Sequence, residues 1–171
     1  MNLDKLQQQS EYFKDALQKI KDKRELWQKE TKPLLISTLE TIKKSINLDW
    51  HVQILDWTKN SEGVNIILNT QPSGMVDIGA NNSFKHYMKK GGGIVFSQAY
   101  NGDVFIIVMY PEVEELVSCI DNKLIGRFKP RHITQELILS KVEEFLSEMT
   151  NWERNSYGNK IGFQNTIEND S

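Results

Sequence analysis

Along the first thirty positions, apolar residues recur at alternating steps of three and four: Leu3, Leu6, Phe13, Leu17, Ile20 and Trp27, with Ser10 and Arg24 in the remaining places. That is the helical period, so the pattern predicts one amphipathic helix from Leu3 to Glu30. Such a helix would be about 42 Å long, against the roughly 40 Å diameter of a domain of this size, so it must span the domain, bend or protrude. Pro33 has no backbone N–H and disfavours helix at Lys32, which predicts a break over Thr31-Lys32-Pro33. A second helix then carries Leu35, Leu39, Ile42 and Ile46 on its apolar side. The first stripe is heptad-like, but it is short, interrupted at Ser10 and Arg24, and carries aromatic residues, which favours packing onto a globular core over a coiled coil.

From Trp50 the period changes to two. Trp50, Val52 and Ile54 alternate with His51, Gln53, Leu55 and Trp57; turn residues follow at Asn60-Ser61-Glu62-Gly63; Val64, Ile66 and Leu68 then share one face. This predicts a hairpin over 50–69. Residues 70–82 are the least regular stretch, with a short strand at Met75–Ile78, and 83–90 reads equally as an edge strand or one helical turn. Gly91-Gly92-Gly93 reads as a hinge or hairpin loop. Beyond it, Asn101-Gly102 joins Ile94–Tyr100 to Val104–Tyr110, which predicts a second hairpin over 93–110 with a type I′ turn. Val104–Tyr110 is apolar at every position, so that strand must bury both faces. Glu112–Ile120 reads as a short helix. Thr134 reads as the N-cap of a last helix whose stripe is Ile138, Val142, Phe145, Met149 and Trp152. From residue 155 the chain is polar and Asn-rich and reads as a loose tail.

Together these elements predict an α+β fold: an antiparallel sheet of four or five strands with two N-terminal helices and a C-terminal helix packed on it. Residues 1–154 form the single domain, and 155–171 the tail. The sheet has apolar residues to spare on its outer side: Leu55, Trp57, Ile67, Val95, Phe105, Ile107 and Met109. The first expectation is that the long N-terminal helix covers one face and the C-terminal helix the other. A homodimer or another protein docked on the outer face is the second, with Leu55, Trp57, Phe105, Ile107 and Met109 as the contact. A small-molecule pocket between sheet and helices, closed by 69–93, is the third.

Charge narrows the partners. With 21 basic and 23 acidic residues the chain carries a formal net charge of −2, which predicts no general attraction to nucleic acid or anionic membranes. The one basic concentration, Lys123, Arg127, Lys129, Arg131 and His132, reads either as an anion-contact strip or as an edge strand guarded by cations. One cysteine, Cys119, makes no intrachain disulfide, and the N-terminus lacks a signal-peptide core, so a cytoplasmic location is expected.

No residue set points to catalysis, a metal or a cofactor. His51, His86 and His132 stand in separate segments without ligand spacing. Lys89-Lys90-Gly91-Gly92-Gly93 leads into a strand, whereas a phosphate loop leads into a helix. Ser97 and Ser118 have no nucleophile-elbow context, Cys119 sits among apolar neighbours, and Glu114-Glu115 and Glu143-Glu144 fall on solvated helix faces. The plan is similar to that of small secretion chaperones and adaptor domains, which implies protein binding without assigning a residue.

Overall fold

The computed structural model describes residues 3–58, 61–79, 81–115 and 122–155. Helix α1 (Leu3–Leu26) continues through one π-helical turn (Trp27–Thr31) into α2 (Lys32–Ser45). The expected break at Pro33 is therefore absorbed without leaving the helical path. In a regular helix the proline ring would crowd the carbonyl four residues back; the wider turn, in which the Lys32 N–H reaches the Trp27 carbonyl, relieves that crowding. Trp27 is fully buried, and its indole N–H donates to Glu62 (3.3 Å), which also accepts from Gln28 and Lys32. These bonds pin the π turn to the sheet.

Among the described residues the sheet has six strands, all pairing antiparallel: β1 (Trp50–Thr58), β2 (Ser61–Leu68), β3 (Gln71–Ile78), β4 (Phe84–Gln98), β5 (Val104–Val113) and β6 (Lys123–Phe128). Their order is β1-β2-β4-β5-β6, with β3 also on β4. Because β3 pairs with Phe84–Lys89 and β2 with Gly93–Ser97, β2 and β3 lie end to end along one edge of β4. Within the irregular stretch 70–90, Gln71–Ile78 and Phe84–Lys90 are thus sheet. The glycine triplet is neither hinge nor loop but the middle of a 15-residue strand, where the neighbour changes from β3 to β2. Gly91 and Gly92 take φ of 75° and 84°, which bends the strand there, and a Cβ on Gly92 would sit 2.9 Å from Pro111 and 3.3 Å from Met149 Sδ.

Two further expectations change in detail. In the β4–β5 turn only Gly102 has positive φ (79°), which excludes type I′; instead the Gly102 N–H bonds the Ala99 carbonyl (2.9 Å), and a three-residue loop closes on a left-handed glycine. The expected helix over 112–120 does not start at Glu112, because β5 runs on to Val113, which pairs with Lys89. Residues 116–121, including Ser118 and Cys119, and the tail from 156 lie outside the described residues.

Helix α3 (Gln135–Asn155) is capped as expected: the Leu137 N–H bonds Thr134 Oγ1 (3.2 Å). Its stripe joins α2 and one face of the sheet in a single core containing Leu35, Leu39, Val64, Ile66, Ile94, Phe96, Val104, Ile106, Val108, Ile138 and Phe145. Helix α2 packs on β1 and β2, and α3 on β4 and β5. Among the described residues the sheet is therefore not sandwiched between N- and C-terminal helices, and no described helix lies on its other face. The face α2 and α3 occupy is continuously apolar, whereas the other interleaves Gly63, Asn65, Gly93 and Ser97 with its apolar residues and so offers a helix stripe fewer apolar side chains to pack against.

Helix α1 has no buried residue, and Leu3, Leu6, Phe13 and Leu17 are 58%, 66%, 65% and 47% exposed. Among the described residues only its C-terminal end docks, on the β4–β5 turn and on the turn Pro130–His132. Lys23 Nζ bonds Asp103 (2.7 Å), Arg24 bonds the Tyr100 carbonyl (2.9 Å), and Gly102 approaches so closely that a Cβ there would lie 2.6 Å from Lys23 Cβ. The stripe expected to pack onto a core instead lines a protruding arm. None of the described helices is long and apolar enough to cross a membrane.

Candidate functional site: the helix-free face of the sheet

Strand register fixes what the second face presents. Reading from β1 toward β6, one row is His51, Ile67, Gly93 and Met109; the next is Gln53, Asn65, Val95, Ile107 and Leu124; the third is Leu55, Gly63, Ser97, Phe105 and Arg127. Of the five residues expected as a contact surface, Leu55, Phe105, Ile107 and Met109 meet on this face, each half-buried. Trp57 lies in β1, and its side chain is outside the described residues. Val95 is buried at the centre, and Leu124 is exposed at the β6 edge.

The basic stretch divides. Gly126 pairs with Ile106 and Leu124 with the next residue, Ile107, so Ile125 is an extra residue bulged into β6. The bulge reverses facing: Lys123 and Arg127, four apart and otherwise on one side, point to opposite sides of the sheet. Lys123 bonds Glu148 of α3 (2.6 Å), a carboxylate held below its usual pKa first by Lys123 and then by the Tyr110 hydroxyl. Arg127 lies over the Phe105 ring, 5.3 Å from its centroid, and pairs with Asp103 at 3.0 Å. Lys129 and Arg131 line a cleft of about 390 Å³ against Lys19, Lys23 and Leu26 of α1, and His132 accepts from Arg131. The five residues therefore form no single strip. β6 is an edge strand, and the Lys141 ammonium also caps its Ile125 carbonyl (2.9 Å).

Asp103 ties this face to the arm. It is 9% exposed and accepts from Lys23, Arg127 and the Asn101 amide. Burial works to raise its pKa, but the hydrogen bonds from Lys23, Arg127 and Asn101 together outweigh it and hold the carboxyl below its ordinary range.

A polar chain crosses the opposite corner of the face. Asn65 Nδ2 donates to Gln53 Oε1 (3.4 Å), Gln53 Nε2 to His51 Nε2 (2.7 Å), His51 Nδ1 to Asn69, and Asn69 to the Asp49 carboxylate. This direction of donation assigns the neutral Nδ1–H tautomer to His51. Asn65, 2% exposed, keeps its Oδ1 without a hydrogen-bond partner among the described residues. Neither Asn65 nor the Asp103 hub stood out in the sequence, because each depends on which strands become neighbours. The face thus combines an apolar centre with one cation held over an aromatic ring. Neither a known protein family, nor a curated protein, nor a solved structure matches this chain.

Proposed function

We propose that the chain is a non-catalytic, cytoplasmic protein-binding domain, adaptor- or chaperone-like, whose partner docks on the helix-free face. The observation that carries this reading is the cluster of Leu55, Ile67, Val95, Phe105, Ile107 and Met109 on the side of the sheet opposite α2 and α3. An apolar centre with a polar rim is the anatomy of a protein interface. The rival reading, a ligand or substrate pocket between sheet and helices, needs space where Phe96, Ile94, Ile106, Leu39 and Phe145 are each fully buried. Its lid, 69–93, is largely hydrogen-bonded sheet.

A photo-crosslinking residue at Leu124 tests the proposal in cells. The expected result is one discrete adduct that disappears in an Ile107→Ser variant of unchanged fold. No adduct, or an adduct indifferent to Ile107→Ser and Phe105→Ser, overturns it.

A further inference from the structure

Helix α1 is a second surface, separate from the sheet face. Its exposed seam runs Leu3, Leu6, Ser10, Phe13 and Leu17 to the half-buried Ile20, and at its root it enters a groove of about 520 Å³ lined by Leu17, Ile20, Arg24, Gln28 and Tyr100. An a/d seam of this kind closes by inserting its side chains between those of another helix. The identity of that helix follows from matching the seam against itself. In an antiparallel register that sets Leu3 against Ile20 and Leu6 against Leu17, Ser10 falls opposite Phe13, so the smallest residue of the seam meets the bulkiest twice, once on each side of the two-fold axis. In the same register Asp4 and Glu11 of one arm lie within a turn of Lys21 and Lys14 of the other. Leu3 of each copy then reaches the groove beside Tyr100 of its mate. A parallel pairing instead sets Ser10 on Ser10, Phe13 on Phe13 and Arg24 on Arg24, leaving a gap, a clash and a like-charge contact.

We propose that this protein forms a two-fold homodimer through antiparallel pairing of its α1 arms, Leu3 of each copy seated in the groove between α1 and Tyr100 of the other. The two globular bodies then sit at opposite ends of the helix pair, and both helix-free faces stay accessible. The interface is isologous, as two-fold symmetry requires.

The full-length chain in a Cys119→Ser background tests this. Sedimentation over roughly 1–100 μM, the range in which a short helix pair aided by the groove is expected to assemble, should show a dimer. Phe13→Glu should weaken that dimer at least about a hundredfold, since the charge enters the seam twice. Ser10→Cys and Phe13→Cys chains, mixed and oxidised, should form the mixed disulfide faster than either forms its own. A monomer throughout the range overturns the proposal. So does a dimer that survives Phe13→Glu, or a Ser10→Cys chain that cross-links chiefly to itself. Phe13→Glu should leave the Leu124 adduct in place, so failure here and failure of the sheet-face reading are separable.

Discussion

Helices α1 and α3 carry the same kind of pattern, an apolar stripe at steps of three and four, and meet opposite fates. In α3, Ile138, Val142, Phe145, Met149 and Trp152 are all at most 6% exposed, whereas in α1 the first two turns and Phe13 are about as exposed as any apolar residues of the fold. The period of a stripe states that a helix has an apolar side. It does not state what that side touches. The difference lies in tethering. Helix α3 follows an edge strand and starts at a cap next to the buried Pro130 and Ile133, so its whole length is laid over the sheet. Helix α1 is held only at its C-terminal end, by Lys23, Arg24 and the buried Trp27 just beyond it.

The sharpest way to break this comparison is one truncation in each helix. Phe145→Ala should lower unfolding stability by about 3–5 kcal/mol through a core cavity. Phe13→Ala, measured by tryptophan fluorescence at submicromolar chain where arms are unpaired, should change it by less than about 0.5 kcal/mol. Equal losses would mean that the arm packs on the body.

Acid should act on the tether before the core. Asp103 and Glu62 both have pKa values below the ordinary range; Lys32 is the main cause at Glu62, and for Asp103 the cations outweigh burial. A carboxylate depressed in the folded state contributes stability in full above its unfolded pKa, near 4, and loses it as pH falls through the folded value. The urea midpoint should therefore hold between pH 7 and 5 and decline below about 4. Asp103→Asn should cost roughly 2–3 kcal/mol at pH 7 and flatten that decline. Undiminished acid sensitivity in the variant would remove Asp103 from the account.

A smaller effect is expected at Gly102, where φ is 79° and Lys23 is in close contact. Gly102→Ala should cost about 2 kcal/mol and widen the distance distribution between spin labels on the arm and on α3, because the root of α1 is pushed off its seat. An unchanged distribution would show that Trp27 and Glu62 alone orient the arm.

The elements themselves were legible wherever a period ran long enough: Trp50–Leu55, Val64–Leu68, Ile94–Phe96 and the α3 stripe all lie in the elements their patterns predict. The α+β class follows from them. The glycine triplet was misread because a loop and a bent strand ask for the same residue: both need positive φ, and only a neighbouring strand tells them apart. The gathering of Leu55, Phe105, Ile107 and Met109 on one face was readable from alternation. Which face the helices take was harder to read, because it turns on a few polar interruptions, Asn65 and Ser97 among them. The division of the basic stretch was not readable at all, since a single bulged residue at Ile125 reverses every side chain beyond it.

The end-to-end placement of β2 and β3 along β4 has a kinetic consequence. The β1–β2, β3–β4, β4–β5 and β5–β6 pairs each join strands consecutive in the chain, so each ladder closes a short loop. Among the described strands only β2 and β4 pair without being consecutive in the chain, but once Gln71 has paired with Lys89 the Ile67–Gly93 pair lies just four residues further along each strand and closes with little added loop entropy. The ladder from Gly63–Ile67 to Gly93–Ser97 is thus an extension of the β3–β4 hairpin, its register set once that hairpin forms, and it joins the β1–β2 pair to the rest of the sheet.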